Sequence, residues 1–445
     1  MKRSIFKIFI PILCAAILFT GCALARTITS TLNSAAGQTA DPAVKQSGDV
    51  TASSVADGAT APAEPYETTD DNTDTQSADA EEASGAFSAR DLSAEYDDET
   101  ITVQLTGSGA TADSEKVSIT GSVVTITGSG TYLISGTLDD GSVVVDASKE
   151  DKVQLVLNGV SIHSGSYAAV YVKQADKVFI TLAEGTQNTL SNGGTFTQRD
   201  DNNVDAVIFA KDDVTFNGTG SLTVSSPAGH GIVGKDEVTI TGGVYAITSA
   251  KCAVRANDSI AVADGTFTIR AGTDGLHAEN DDDDTLGNVY IAGGTFTIDA
   301  NDDAVHANTL LQIDDGSFAV TGAEGLEGTY IQINGGDIRI SATDDGVNAA
   351  RKSSAYTPTV EINGGYLTVV MGAGDTDGVD SNGNIVITGG TVDVTGRSAF
   401  DYDGQATCTG GTIIVNGQQV NGIPNQMMGG GMMGGMPGGG RGWNG

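Results

Sequence analysis

Val289-Tyr-Ile-Ala-Gly-Gly-Thr-Phe-Thr-Ile298 is the clearest copy of a pattern that specifies the architecture of the chain. Apolar and polar residues alternate on both sides of the glycine pair, which is the two-residue period of a half-buried β-strand. Further copies, some of them looser, place the equivalent of the second glycine every 20 to 29 residues. These glycines are Gly243, Gly265, Gly294, Gly316, Gly336, Gly365, Gly390 and Gly411. One supersecondary unit is therefore repeated along the chain.

The repeat predicts stacked coils of short strands. No segment has an apolar stripe of helical period long enough for a packed helix. Coils that bend at glycines and Asn/Asp turns are typical of a parallel β-helix, with successive coils about 4.8 Å apart. Such stacking would align one core residue per coil, namely Tyr245, Phe267, Phe296, Phe318, Ile338, Leu367, Val392 and Ile413. We predict an all-β fold, a single-domain right-handed parallel β-helix solenoid over residues 92–422, with an irregular N-terminal cap in residues 92–150.

The charge of the chain limits its partners. Among 445 residues, 57 Asp and Glu against 22 Lys and Arg give a formal net charge of −35. Such a surface repels the phosphates of nucleic acids and of anionic lipids, so neither nucleic acid nor a bare membrane surface is an expected partner. Cations are the natural ligands of this composition.

The two ends of the chain differ from the repeats. Residues 1–21 combine basic residues with an apolar run, which predicts a lipoprotein-type signal peptide, with Cys22 as the first residue of the mature chain. We expect an exported, monomeric protein held at the cell surface by lipid on Cys22, its only membrane contact; cleavage after Ala25 and secretion is the alternative. Residues 22–91, rich in Ser, Thr and Asp, predict a disordered tether, and the Met/Gly-rich residues 423–445 predict a disordered tail.

A second motif precedes each glycine-pair strand. It consists of an acid, then Gly or Ala, an apolar residue and a polar residue, as in Asp345-Gly-Val-Asn348. Stacked coils would align the acids in what we call the acid ladder: Asp274, Asp303, Glu324, Asp345 and Asp377. The polar residues would align in what we call the polar ladder: His277, His306, Glu327, Asn348, Asp380 and Asp401.

The ladders predict a cation site. Two carboxylates about 5 Å apart repel by about 3 kcal/mol at an effective dielectric constant of 20, and Ca²⁺ relieves this by accepting about six to eight oxygen ligands in loose geometry. We predict Ca²⁺ ligands among Asp302, Asp303, Glu324, Glu327, Asp344, Asp345, Asp377 and Asp380. The alternative is a row of solvated turn residues. Zinc at His277 and His306 is not favoured, because oxygen donors surround them and no thiolate is expected nearby.

Two cysteines lie in the predicted solenoid. Cys408 aligns with inward-facing isoleucines of other copies, and about six coils separate it from Cys252. That separation is about 30 Å, which exceeds the reach of a disulfide. We therefore predict two free, buried thiols.

The motifs of known catalytic mechanisms are not evident, so no catalytic residue is predicted. The chain has no Gly-x-Ser-x-Gly elbow and no phosphate-binding loop. A β-helix that holds calcium could cleave uronates by β-elimination, with a Lys or Arg as the base. Lyase activity is thus one alternative to polysaccharide binding, and a surface adhesin or spacer without glycan affinity is another.

Several stretches together resemble a known family. They are Gly130 to Gly136, Leu155 to Ile162, Leu182 to Asn188, Ala210 to Asp213 and the strand that ends at Val224. Over about residues 92–422 the sequence resembles exported carbohydrate-binding β-helix proteins, which are distantly similar to calcium-dependent pectate lyases. The resemblance implies a right-handed parallel β-helix, bound calcium, and attachment to cellulose or an acidic plant polysaccharide such as polygalacturonate without cleavage.

The sequence departs from the family pattern at Lys251-Cys252-Ala-Val-Arg255, where Asp-Gly usually follows the lysine. The resemblance therefore implies that one corner ligand is lost there. A polysaccharide ligand also requires a contact surface, and a neutral glucan requires flat aromatic faces. The candidate stacking residues are Tyr290, Tyr330, Tyr356 and Tyr402, although each also fits an ordinary outward strand or loop position.

Overall fold

The computed structural model describes residues 86–96, 99–373 and 376–425. These residues form 36 β-strands, and the described part of the chain contains no helix. Accordingly, none of it is a helix of the length and apolarity needed to cross a membrane. The alternating residues of each repeat thus form strands, as the period of two predicts.

The strands of the N-terminal half, in chain order, are β1 (Ile101–Gly107), β2 (Ala110–Ala112), β3 (Val117–Thr120), β4 (Val123–Ile126), β5 (Gly130–Leu138), β6 (Ser142–Asp146), β7 (Lys152–Ser164), β8 (Val170–Gln174), β9 (Lys177–Leu182), β10 (Gln187–Asn192), β11 (Ala206–Ala210), β12 (Asp213–Gly218), β13 (Ser221–Ser226), β14 (His230–Gly234), β15 (Glu237–Ile240), β16 (Val244–Ser249), β17 (Val254–Ala256) and β18 (Ser259–Val262). Those of the C-terminal half are β19 (Thr266–Ala271), β20 (Leu276–Ala278), β21 (Asn288–Ile291), β22 (Thr295–Ala300), β23 (Val305–Ile313), β24 (Ser317–Gly322), β25 (Leu326–Ile333), β26 (Asp337–Ala342), β27 (Val347–Ala349), β28 (Thr359–Ile362), β29 (Tyr366–Met371), β30 (Asp377–Ser381), β31 (Asn384–Ile387), β32 (Thr391–Thr395), β33 (Ser398–Tyr402), β34 (Ala406–Cys408), β35 (Thr412–Val415) and β36 (Gln418–Val420).

Parallel pairing sorts the strands into three faces, one strand of each face per coil. Face 1 runs through β14, β17, β20 and the first half of β23, then through β25, β27, β30 and β33. Face 2 runs through β9, β12, β15, β18 and β21. Face 3 runs through β13, β16, β19, β22, β24 and β26. The stacked coils form the predicted β-helix solenoid, whereas its right-handed sense stays a prediction.

The core lies inside the coils, and its residues stack as the repeat predicts. The strand register joins each member of the series from Tyr245 to Ile413 to the next. Ring centroids are 4.7 Å apart for Phe267 and Phe296, and 4.5 Å apart for Phe296 and Phe318. The turn before each of these strands uses a glycine such as Gly294, whose φ of 111° is unfavourable for other residues. This confirms the predicted core ladder.

Antiparallel pairs occupy both ends of the described solenoid. At the N-terminal end β1 pairs with β2, and β3 with β4. At the C-terminal end β36 folds back on β35. At each end, strands of this chain thus pair with strands of the terminal coils, which leaves fewer unpaired strand edges there.

Residues 86–96, which we call the N-terminal strap, lie across face 2. The carboxylate of Asp91 lies 3.0 Å from Nζ of Lys177 and accepts a hydrogen bond of 2.5 Å from Thr215. Farther along the face, Phe87 contacts the ring of Tyr290 at a centroid distance of 5.8 Å. The sequence predicts a tether that extends to residue 91, whereas in the structure residues 86–91 belong to the folded body. The signal peptide, residues 22–85 and most of the tail lie outside the described residues.

The two solenoid cysteines are free thiols, but only one is buried. Cys252 is buried, whereas Cys408 is exposed, which corrects the prediction of two buried thiols. Cys408 does align with Ile387, as its place in the repeat requires. However, β34 belongs to the last coil, and within the described residues only β31 pairs with it, so an inward position is left uncovered.

Candidate functional site

The two predicted ladders lie at the start of face 1. Strand register stacks His277, His306, Glu327, Asn348, Asp380 and Asp401 one per coil. The acid ladder is continuous through the backbone, because the amide after each acid donates to the carbonyl of the next acid. Glycine permits this close approach, since a Cβ at Gly275 would collide with the carbonyl oxygen of Ala304. The sequence motif therefore positions one acid and one polar side chain on each coil.

Basic side chains neutralise the part of the ladders around His306. Its Nδ1 atom lies 2.9 Å from Oδ2 of Asp303 and 2.6 Å from Oε2 of Glu327. Nζ of Lys352 lies 2.6 Å from the other oxygen of Glu327. One coil earlier, the ring of His277 stacks on that of His306 with centroids 4.4 Å apart. Two predicted calcium ligands, Asp303 and Glu327, are thus already ion-paired.

The pKa of His306 reflects this network. Burial alone would lower it, but the hydrogen bonds and charges of Asp303 and Glu327 outweigh burial and raise the pKa to about 10. For the acid Glu327, burial alone would raise the pKa. Its hydrogen bond with His306 outweighs burial and holds that pKa well below the ordinary value. At neutral pH the imidazolium is therefore positive and Glu327 is ionised.

The next coils carry carboxylates without such compensation. Burial, then the negative charges of Glu327 and Asp303, raises the pKa of Glu324 to about 8. Burial raises the pKa of Asp380 to about 7, with the carboxylates of neighbouring coils contributing, and burial likewise raises the pKa of Asp345 to about 6. Within the described ranges none of these three forms an ion pair with Lys, Arg or His. We call Glu324, Asp345, Asp377, Asp380 and Asp401 the carboxylate patch.

The remaining predicted ligands lie at the edge of the ladders. Asp302 is exposed, and one of its carboxylate oxygens lies within 4.8 Å of oxygens of Asp274 and Asp303. Asp344 is exposed beside Asp345 and contributes to its raised pKa. Asn348 donates from Nδ2 to both carboxylate oxygens of Glu324 at 3.1 Å. The structure therefore divides the eight predicted ligands among an ion-paired centre, the carboxylate patch and an exposed edge.

The structure corrects the expectation of open tyrosine faces. Tyr290 is 3% exposed, because the N-terminal strap covers it, and its hydroxyl donates to Asp314. Tyr330 is 8% exposed, donates to Glu361 and packs against Tyr356. Neither ring offers a face on which a sugar could stack.

The last two candidate tyrosines differ from this pair. Tyr402 is half-buried and packs against the core, and Tyr356 is half-buried beside Tyr330. Of the four predicted tyrosines, only Tyr356 and Tyr402 therefore have a ring that is partly open to a sugar.

Sequence reasoning missed several members of the site. Strand register places Arg255 below His277, and a backbone bond from Ala253 to the carbonyl of Asp274 continues the acid ladder to Cys252. The signal was present, since Cys252-Ala-Val-Arg255 aligns with the acid motif of the next repeat. Lys352 had no such signal, because it lies in the insertion between β27 and β28.

Comparison with known proteins identifies the family of the chain. The defining pattern of the carbohydrate-binding domain-containing proteins matches residues 120–378 and 324–426. The chain belongs to this family, and membership supports carbohydrate binding.

Individual relatives match over shorter lengths. A carbohydrate-binding domain-containing protein of Acetivibrio thermocellus is 42% identical over 122 residues, which are 27% of this chain and 43% of that protein. The chain thus spans less than half of that relative. A solved structure described as the polysaccharide lyase-like protein from C. thermocellum, gadolinium derivative, is 32% identical, with a TM-score of 0.48, and the match covers 54% of this chain and 94% of that one.

Proposed function

We propose that this protein is a calcium-stabilised, non-catalytic protein that binds polysaccharide at the cell surface. The observation that carries the proposal is the carboxylate patch, in which burial and neighbouring carboxylates raise the pKa values of Glu324, Asp345 and Asp380. None of the three forms an ion pair with a basic side chain in the described part of the chain. Family membership supports a carbohydrate as the ligand. The carboxylate patch offers the oxygen atoms that would bind the calcium ion.

The donor set of the carboxylate patch fits calcium. Its donors are carboxylate oxygens, with the amide of Asn348 beside them, and hard cations prefer oxygen. The raised pKa values of Glu324 and Asp380 mean that ionisation of the metal-free patch is unfavourable. A divalent cation would remove that repulsion, and Ca²⁺ tolerates the irregular spacing of side chains on stacked coils.

The arrangement favours an acidic polysaccharide over a neutral glucan. Burial of Tyr290 and Tyr330 removes two of the aromatic platforms that a neutral glucan would require. A chain with a net charge of −35 repels polygalacturonate, but a calcium ion held by the patch could bridge protein and sugar carboxylates. In this proposal the same ion stabilises the coils and holds the ligand.

Two of the basic residues that could serve as the base of a β-elimination, Lys251 and Arg339, have carboxylate partners. Nζ of Lys251 lies 2.7 Å from Asp205, and the guanidinium of Arg339 lies 2.9 Å from Asp337. A base for β-elimination must be free to accept the sugar proton. Calcium-dependent lyase activity is therefore the second hypothesis.

Export and lipidation at Cys22 complete the proposal. They rest on the sequence of residues 1–25 alone. Labelling with a radioactive fatty acid should mark the wild-type chain and not the Cys22→Ser variant. Release of an unlabelled chain that begins after Ala25 would support secretion instead.

A binding experiment tests the sugar assignment. The protein is passed over polygalacturonate gel and over cellulose, in Ca²⁺ and in excess chelator. We expect retention on polygalacturonate with Ca²⁺ and loss of retention with chelator. Retention on cellulose alone would reverse the choice of sugar, and retention on neither would favour the adhesin or spacer. Ultraviolet absorbance of unsaturated uronates during incubation with pectin would reveal a lyase.

A further inference from the structure

Three different donor atoms meet where Cys252 continues the acid ladder. Sγ of Cys252 lies 3.3 Å from Oδ2 of Asp274, and Nδ1 of His277 lies 2.9 Å from the same oxygen. All three donor atoms lie within 4.8 Å of one another. Cys252 and Asp274 are 5% and 6% exposed, while the side chain of His277 is 13% exposed and gives the cluster an edge towards solvent.

These separations are close to those of ligands around one tetrahedral ion. Zinc binds sulfur at about 2.3 Å and nitrogen or oxygen at about 2.0 to 2.2 Å, so its ligand atoms lie roughly 3.2 to 3.7 Å apart. The contact of Asp274 with Cys252 at 3.3 Å lies within that range, and its contact with His277 at 2.9 Å lies a few tenths of an ångström below it. Small side-chain rotations would therefore place all three atoms on one ion.

A carboxylate behind His277 orients the ring for metal binding. Nε2 of His277 lies 3.1 Å from Oε2 of Glu279, which also lies 3.4 Å from the guanidinium of Arg255. A hydrogen bond from Nε2 to Glu279 leaves the lone pair on Nδ1, and metal-bound histidines are commonly held in this way. Nδ1 itself is buried and lies 2.9 Å from Oδ2 of Asp274, so a metal ion bound between them would take the place of a proton.

The chemistry of this cluster differs from that of its neighbours. Thiolate and imidazole select zinc or a similar transition metal over calcium. With a thiolate and one carboxylate as ligands, a divalent ion would be neutralised, while Arg255 and Glu279 already balance each other. The next triad, Asp303, His306 and Glu327, has its charge compensated by Lys352 and so has less need of an ion.

We propose that Cys252, Asp274 and His277 form a zinc site, separate from the carboxylate patch that would hold calcium. The three side chains supply sulfur, oxygen and nitrogen, and a water molecule completes the tetrahedron. The substitution of Cys for Asp at this corner thus changes the metal preference of the ladder.

Cobalt spectroscopy on the full chain tests the site. Metal-free protein is titrated with Co²⁺, whose charge-transfer absorption in the near ultraviolet requires a thiolate ligand. We expect a band that saturates at one equivalent in the wild type and in Cys408→Ser, the control for the exposed thiol, but not in Cys252→Ser. Any contribution of Cys14 or Cys22 would persist in Cys252→Ser. An equal band in Cys252→Ser, or no band in the wild type, would overturn the proposal.

Measuring zinc affinity gives a second test, which does not require the Cys252→Ser variant to fold. Glu279→Gln should weaken Zn²⁺ binding by about 10- to 100-fold, and His277→Gln by more, as measured by competition with a chromophoric chelator. Excess Ca²⁺ should leave the bound zinc in place. Unchanged zinc affinity in both variants, with far-ultraviolet circular dichroism like that of the wild type, would refute the site.

Discussion

The imidazole of His306 lies 2.6 Å from the carboxylate of Glu327, which occupies the same position one coil later. Asp303 approaches the same nitrogen to 2.9 Å. Burial, together with the charge of Glu327, raises the pKa of Asp303 to about 7, so at neutral pH the imidazolium holds one ionised and one partly protonated carboxyl group. The stability of the face 1 edge should therefore depend on this histidine.

His306→Gln is expected to lower the free energy of unfolding by about 3 kcal/mol at pH 7, because it removes the charged partner of buried Asp303 and leaves Lys352 as the only basic partner of Glu327 in the described residues. Urea unfolding measures the loss. The matched control is His163→Gln, whose half-buried ring contacts Ser191 and should cost less than about 1 kcal/mol. Equal losses in the two variants would contradict the role of His306.

The contribution of His306 should also depend on pH. Its pKa of about 10 in the folded state exceeds the ordinary 6.5, so the stabilisation is complete below pH 6.5 and is lost as the pH rises through about 10. The difference in unfolding free energy between wild type and His306→Gln should shrink over that range. A difference that stays constant from pH 7 to about 10.5 would refute this.

Glu324 should destabilise the metal-free protein at alkaline pH. Its pKa is raised from 4.5 to about 8, so in chelator its contribution to stability falls as the pH rises from about 4.5 to about 8. Glu324→Gln should flatten the pH profile of urea unfolding and be more stable than wild type at pH 8. Glu184→Gln, at an exposed position outside the two ladders, is the matched control and should keep the wild-type slope.

Calcium should raise the melting temperature through the carboxylate patch. At a Ca²⁺ concentration of about 100 times Kd, binding would add about 2.7 kcal/mol to the free energy of unfolding. Asp380→Asn should reduce this gain by at least about 1.4 kcal/mol, which corresponds to a tenfold loss of affinity. Differential scanning calorimetry with calcium and with chelator measures both values. A gain of the same size in Asp380→Asn would remove this residue from the site.

The pair of Asp91 and Lys177 should anchor the N-terminal strap. Their side chains are 4% and 18% exposed, so Lys177→Met should cost about 3 kcal/mol and speed proteolysis within residues 86–96. Lys173 and Asp146 form the matched exposed pair, with side chains 43% and 38% exposed, and Lys173→Met should cost less than about 1 kcal/mol. If both substitutions had the same effect, the strap would not depend on the buried pair.

The repeat made most of the fold predictable. The alternation of apolar residues fixes which side chains point inwards, and the glycine turns fix the register, so the stack from Tyr245 to Ile413 and both ladders follow from spacing. No comparable local signal exists for contacts between distant segments. The strap that covers Tyr290 comes from about 200 residues earlier, and Lys352 reaches Glu327 from an irregular insertion.

The environment of a residue also depends on where its coil lies in the solenoid, which the pattern of a single repeat does not reveal. Cys408 has the right place in its repeat, yet it belongs to the last coil, where no further parallel coil covers it in the described residues. The zinc triad was missed for a related reason. Cys252 reads as a lost ligand in its own repeat and becomes a donor only when the acid and histidine of the next coil are brought beside it.

The N-terminal strap also orders events in time. Its contacts with Thr241 and Tyr290 require strands that are synthesised long after residues 86–96. During synthesis the N-terminal strap is therefore made early but docks only when the coils as far as β21 have formed. The segment nearest the N-terminus is among the last to reach its native position.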